Sequence, residues 1–121
     1  MSLASVRPGL SPRSCVLLCS LLLPLLPACS KPPPSPCDAP TITGTAGNDD
    51  LVGTEDADII DAGAGDDVVH GHGGDDIICG GEGNDALYGG NGVDRIYGGA
   101  GNDRIRGEVG EDIMDGGEGL D

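Results

Sequence analysis

A core built on aromatic rings is excluded at the outset: the 121 residues include no Phe, no Trp and only two Tyr. Basic side chains are almost as scarce, six Lys and Arg against 21 Asp and Glu, for a formal charge of −15. Every acid follows residue 37, so removing residues 1–28 would take away Arg7 and Arg13 and leave the remainder more acidic still. Such a surface repels nucleic acid and anionic lipid and attracts cations or basic partners. Serine is confined to the first 35 residues, so the rest of the chain has no Ser/His/Asp arrangement and nothing in it points to an enzyme. A chain of this length holds at most one small domain. Glycine, by contrast, numbers 23. Acidic, glycine-rich sequence ordinarily means disorder, and only a regular pattern argues otherwise.

The pattern is a nine-residue phrase. Residues 80–106 read GGEGNDALY, GGNGVDRIY and GGAGNDRIR, and the same frame runs over 44–121 as eight full copies and six residues of a ninth. The sixth position is Asp in every copy: Asp49, Asp58, Asp67, Asp76, Asp85, Asp94, Asp103, Asp112 and Asp121. The eighth is aliphatic or Met: Leu51, Ile60, Val69, Ile78, Leu87, Ile96, Ile105 and Met114. The first is Gly except at Ala62. Copies 1 to 4 are looser, with Asp56 at a fourth position and His72 at a second, and copy 8 is degenerate.

Glycines at the first, second and fourth positions tolerate positive φ, so the first six residues of each copy are predicted to turn. The last three alternate as a short strand with one side chain inward. Two copies then close one coil every 18 residues, and successive coils stack as parallel strands about 4.8 Å apart. The predicted fold is all-β: a parallel β-roll, a right-handed β-solenoid of nonapeptide repeats, odd copies on one side and even copies on the other. Ile42, nine residues before Leu51, is predicted to lie in a cap strand. The inward aliphatics stabilise such a roll by much less than ordering its backbone costs. Stacking also brings carboxylates to about 5 Å, where like charges repel by roughly 1 kcal/mol in water and more in poorly solvated sites. A cation has to complete the fold. Carboxylate and carbonyl oxygens suit Ca²⁺, which accepts six to eight of them in flexible geometry. Zinc and copper prefer His and Cys clusters, which are absent at the repeat spacing.

GGEGNDALY and its neighbours resemble the hemolysin-type calcium-binding repeat of the RTX (repeats-in-toxin) family, over residues 44–121. The resemblance implies calcium between the turns of copies n and n+2, held by the sixth-position Asp of both turns and by carbonyls of the glycine-rich turn. Carried over by position, one side uses Asp49, Asp67, Asp85, Asp103 and Asp121, and the other Asp58, Asp76, Asp94 and Asp112. In the clean copies the implied turn ligands are Gly80, Gly83, Asn84, Gly89, Gly98, Gly101 and Asn102. Fifth-position Asn or Asp is usual for the family; Asn48, Asp66, Asp75, Asn84 and Asn102 match, whereas Ala57, Val93 and Leu120 do not. The even side is therefore expected to bind more weakly around copies 2 and 6, and the best site to lie between residues 80–85 and 98–103. Single-site Kd values of about 10⁻⁴–10⁻³ M are expected, with cooperativity. Large members of the family carry an enzymatic or pore-forming domain and a C-terminal secretion signal, and neither is expected of this chain.

Residues 1–28 combine Arg7 and Arg13 with an apolar run and a small Ala28, the pattern of a signal peptide. The junction Leu26-Pro27-Ala28-Cys29 resembles a bacterial lipobox and implies lipidation of Cys29; an ordinary cleaved signal peptide and an uncleaved anchor are the alternatives. Residues 29–40 read as a proline-rich tether and residues 41–121 as the calcium-binding roll. Cys37 and Cys79 remain, as a disulfide or as two free thiols. His70 and His72 flank Gly71 in what is expected to be an exposed turn, and Tyr88 and Tyr97 are expected to point outward on opposite sides. The expected protein is exported, non-enzymatic, folded by calcium and attached to the membrane through Cys29, at the cell surface or outer membrane or extracellular. No nucleic-acid partner is expected, and the sequence names no protein partner. The competing expectation is a truncated or detached repeat segment of a larger secreted RTX enzyme, toxin or adhesin.

Overall fold

The computed structural model describes residues 34–121, of which Ser35–Asp121 form one compact unit. The expected signal peptide and the candidate lipidation residue Cys29 lie outside the described residues. No helix among the described residues is long and apolar enough to cross a membrane.

Nine strands follow one another: β1 (Ile42–Thr43), β2 (Asp50–Val52), β3 (Ile59–Ala64), β4 (Val68–Gly73), β5 (Ile77–Glu82), β6 (Ala86–Asn91), β7 (Arg95–Ala100), β8 (Arg104–Val109) and β9 (Ile113–Glu118). They form two parallel sheets, β1-β3-β5-β7-β9 and β2-β4-β6-β8. The register between neighbours is 18 residues, as in Ile60↔Ile78 and Leu87↔Ile105. The fold is the all-β parallel roll that the ninefold period predicts.

Alternation within each strand turns the eighth-position side chain into the space between the sheets. Ile60, Val69, Ile78, Leu87 and Ile96 are fully buried there together with Ala62, and Ile42, Leu51 and Ile105 pack against them. Met114 holds the same position yet is 54% exposed, because β9 ends its sheet and no described strand lies beyond it.

The strands are longer than expected. From β3 onward each has six residues, from the seventh position of one copy to the third of the next, which leaves only positions four to six for the turn. The glycine pair carries the ladder rather than the reversal, with Gly63↔Gly81 and Gly81↔Gly99 in register. Close stacking is what demands glycine there: a Cβ on Gly81 would meet the backbone carbonyl of Gly63. His70 and His72 consequently lie in β4 and not in a turn. His70 pairs with Tyr88, and their rings stack at 4.7 Å.

Cys37 and Cys79 form a disulfide with Cα atoms 6.4 Å apart, which pins the segment before β1 to β5. Cys37 is buried, its sulfur 3.8 Å from the Ile60 carbonyl oxygen. Closing a 42-residue loop in the unfolded chain stabilises the fold by up to about 4 kcal/mol. Replacing both cysteines by Ser is expected to lower stability by about 2–4 kcal/mol in a denaturant titration at saturating calcium.

Candidate metal centre

Each turn reverses the chain over three residues and ends on its sixth-position Asp, so stacking of the coils stacks the carboxylates. Asp49, Asp67, Asp85, Asp103 and Asp121 form one column, and Asp58, Asp76, Asp94 and Asp112 the other. Within each column the backbone N–H of one Asp donates to Oδ1 of the Asp 18 residues on, at 2.7 to 3.0 Å. Seven such bonds join the nine turns. These aspartates are unusual for their burial: Asp94 is 0% and Asp85 2% exposed. Acids are almost never so deeply buried without a partner.

Oδ1 is thus satisfied and Oδ2 is not. In Asp67, Asp76, Asp85, Asp94 and Asp103, Oδ2 is buried and has no hydrogen-bond partner. An orphaned buried polar atom in a folded protein requires an explanation such as an ion. The space these atoms face is lined by oxygen. A Cβ built on Gly80 would meet both Asp85 Oδ2 and the Gly98 carbonyl oxygen, and one on Gly98 would meet Asp103 Oδ2 and the Gly116 carbonyl. On the other column, a Cβ on Gly89 would meet Asp94 Oδ2 and the Gly107 carbonyl. The fourth-position carbonyls face the following coil too, that of Gly83 lying where a Cβ on Gly101 would go. Carboxylate and carbonyl oxygens converge in a glycine-walled cradle, the donor set of a hard cation. The atoms named at these cradles are all oxygens, with none of the His or Cys ligands that zinc and copper prefer. The residues fit calcium.

The fifth position separates the columns. On the odd side Asn48, Asp66, Asn84 and Asn102 form an unbroken ladder, each side-chain oxygen accepting the N–H of the fifth-position residue one coil on and ending at Leu120. The even side has one such bond, from the Val93 N–H to Asp75, because Ala57 and Val93 offer no acceptor. Asp112 and Asp121 close their columns in half-buried and exposed positions, their Oδ1 atoms accepting from Asp94 and Asp103.

Electrostatics follow from this geometry. Burial, reinforced by Asp94, Asp58 and Asp75, pushes the Asp76 carboxyl up to about 6. Burial also raises Asp85, with Asp103, Asp67 and Asp66 adding to it, and raises Asp94, with Asp112 and Asp75 adding to it. Asp58 moves the other way: the Thr54 amide holds it low, against some desolvation, and the Thr54 and Thr41 hydroxyls assist. A carboxyl raised in the fold binds more protons there than in the unfolded chain, so it destabilises the metal-free roll above its folded value. That penalty fades as pH falls from about 6 toward 3.8 for Asp76. Asp58 contributes in the opposite sense, below that window. Calcium needs the ionised carboxylates, so its affinity falls as the same protons bind. In chelator, β-signal should therefore rise on acidification from neutral pH to about 5, while the calcium midpoint moves to higher concentration. Circular dichroism with a pH-independent calcium buffer reads both signs.

Residues that sequence reasoning passed over are Thr45 and Thr54. Their amides and hydroxyls bond the Oδ2 of Asp49 and Asp58, and the only hint in the sequence is a Thr at a second position.

No curated protein matches the chain, and no solved structure does. The family model described as the RTX calcium-binding nonapeptide repeat (4 copies) matches residues 41–67, 52–87 and 88–121, the whole of the roll. With two columns of buried aspartates in a parallel roll and a match over most of its length, the chain belongs to the RTX calcium-binding nonapeptide repeat family.

Proposed function

We propose that the protein is a non-enzymatic calcium-binding module that works outside the cytoplasm and is ordered by the ion it binds. The observation that carries this reading is the set of five buried carboxylate oxygens without partners. Buried charge left unpaired costs several kcal/mol, and the same site becomes favourable once the charge is compensated. When bound, calcium supplies two positive charges and accepts six to eight oxygens. Asp67, Asp76, Asp85, Asp94 and Asp103 would hold it, with the first-position carbonyls of the coil beyond each.

Each of these carboxylates has two tasks. Oδ1 grips the N–H of the turn before, and Oδ2 is presented to the turn after. Fixing one carboxylate therefore orders both of its neighbours, a structural basis for cooperative uptake. The odd column is expected to bind more tightly, because its fifth-position ladder holds those turns together as well.

Proteins of this family are usually secreted or extracellular, which supports the compartment in general terms. The finer assignment rests on residues 1–28 as a signal peptide, lipidation of Cys29, and a proline-rich tether that holds the roll away from an outer membrane or cell surface. Calorimetric titration with calcium and then magnesium tests the binding: saturable heat at several ions per chain is expected for calcium and little for magnesium. Absence of calcium heat would sink the proposal. Replacing Cys29 by Ser should move the protein from the membrane fraction to the soluble one, and retention would sink the lipid anchor alone.

A further inference from the structure

Seven spaces separate the stacked turns, one for each Asp-to-Asp bond, yet only five orphaned oxygens face them. The two remaining spaces are headed by Asp49 and Asp58. Asp49 Oδ2 accepts the Thr45 N–H at 2.6 Å and the Thr45 hydroxyl at 2.9 Å. Asp58 Oδ2 accepts the same two groups of Thr54 at 2.7 and 2.9 Å. Each hydroxyl also accepts a backbone N–H two residues on, from Gly47 and from Asp56. Each hydroxyl has one proton to donate, and the carboxylate is its nearest acceptor: for Thr54 the Asp56 carbonyl lies farther off, at 3.3 Å. At Asp58 a further hydroxyl is at hand: that of Thr41 lies 3.1 Å from Oδ1 and 3.2 Å from the Ile59 carbonyl oxygen.

The backbone differs in step with the chemistry. In the seven later copies the second position lies at φ of 74° to 114°, whether Gly, His72 or Glu108. Thr45 and Thr54 alone avoid positive φ. A side chain at that position is not sufficient for capping: His72 leaves the Oδ2 of Asp76, in its own copy, without a partner.

Building on the calcium reading above, we infer that Thr45 and Thr54 stand in for the cation at the first two inter-coil spaces, confining calcium to the five headed by Asp67, Asp76, Asp85, Asp94 and Asp103. Two hydrogen-bond donors per carboxylate oxygen do there what the ion does elsewhere. The first coil, which is also where Cys37 is tied to Cys79, forms a rim that needs no metal.

Native mass spectrometry at saturating calcium counts the ions directly. The unaltered protein should hold five. Thr45→Gly and Thr54→Gly restore the residue most common at that position and should raise the count to six each and to seven together, whereas Thr45→Ser with Thr54→Ser keeps the hydroxyls and should stay at five. Seven ions in the unaltered protein would overturn the threonine assignment alone, as would five in a folded Gly variant. Because the unaltered count is decisive by itself, a variant that fails to fold does not shelter the assignment. No bound calcium at all would overturn the calcium reading, and this inference with it.

Discussion

Asp85→Asn should change sign with calcium. The amide oxygen keeps the bond to the Asp67 N–H, 2.9 Å in the unaltered protein, so the column stays joined. What disappears is a charge at a site 2% exposed, where burial already raises the carboxyl. Without calcium the variant should therefore be better ordered than the parent, by about 1–3 kcal/mol, the usual cost of an unsatisfied buried group. With calcium it should be worse: a neutral ligand at the centre of the odd column is expected to raise the calcium midpoint about tenfold, equivalent to about 1.4 kcal/mol. Paired titrations of β-signal in chelator and in calcium measure both arms. Equal destabilisation in both would reduce Asp85 to a packing residue.

Gly99→Ala should produce the largest loss of stability. Gly99 sits at φ +110, and an added Cβ would meet the carbonyl of Gly81 in the coil before, a backbone atom that no rotamer change can move aside. Strained φ and overpacking together are expected to cost about 3 kcal/mol or more, with or without calcium. Glu108 gives the converse test. It is a non-glycine residue at φ 74, close to the left-handed helical region, with a glycine across the ladder at position 90. Glu108→Gly should stabilise the calcium-loaded protein by about 1 kcal/mol. Both are read from urea midpoints in calcium.

The two mutants mark what could be read from sequence. A period of nine with one inward aliphatic and one Asp per copy dictates two sheets, an 18-residue register and two acidic columns, because each residue's place follows from counting. The role of the glycines was less legible. Composition assigns a Gly-Gly pair to a turn, yet at Gly63, Gly81 and Gly99 the pair runs inside six-residue strands, because close coil stacking and not chain reversal excludes a side chain. The same error put His70 in a turn and hid its stacking on Tyr88, although both are ninth-position residues one coil apart. Thr45 and Thr54 show in the sequence only as departures from glycine at the second position. Their significance depends on where a hydroxyl proton points, which the period does not encode.

The central claim is that the roll closes around cations held by buried carboxylates, and calcium titration of the chelator-treated protein followed by far-UV circular dichroism tests it most directly. The prediction is little β-signal at neutral pH without calcium, then a cooperative rise with a midpoint of about 10⁻⁴–10⁻³ M. A spectrum already fully β-rich in chelator, and unchanged by calcium, would contradict it.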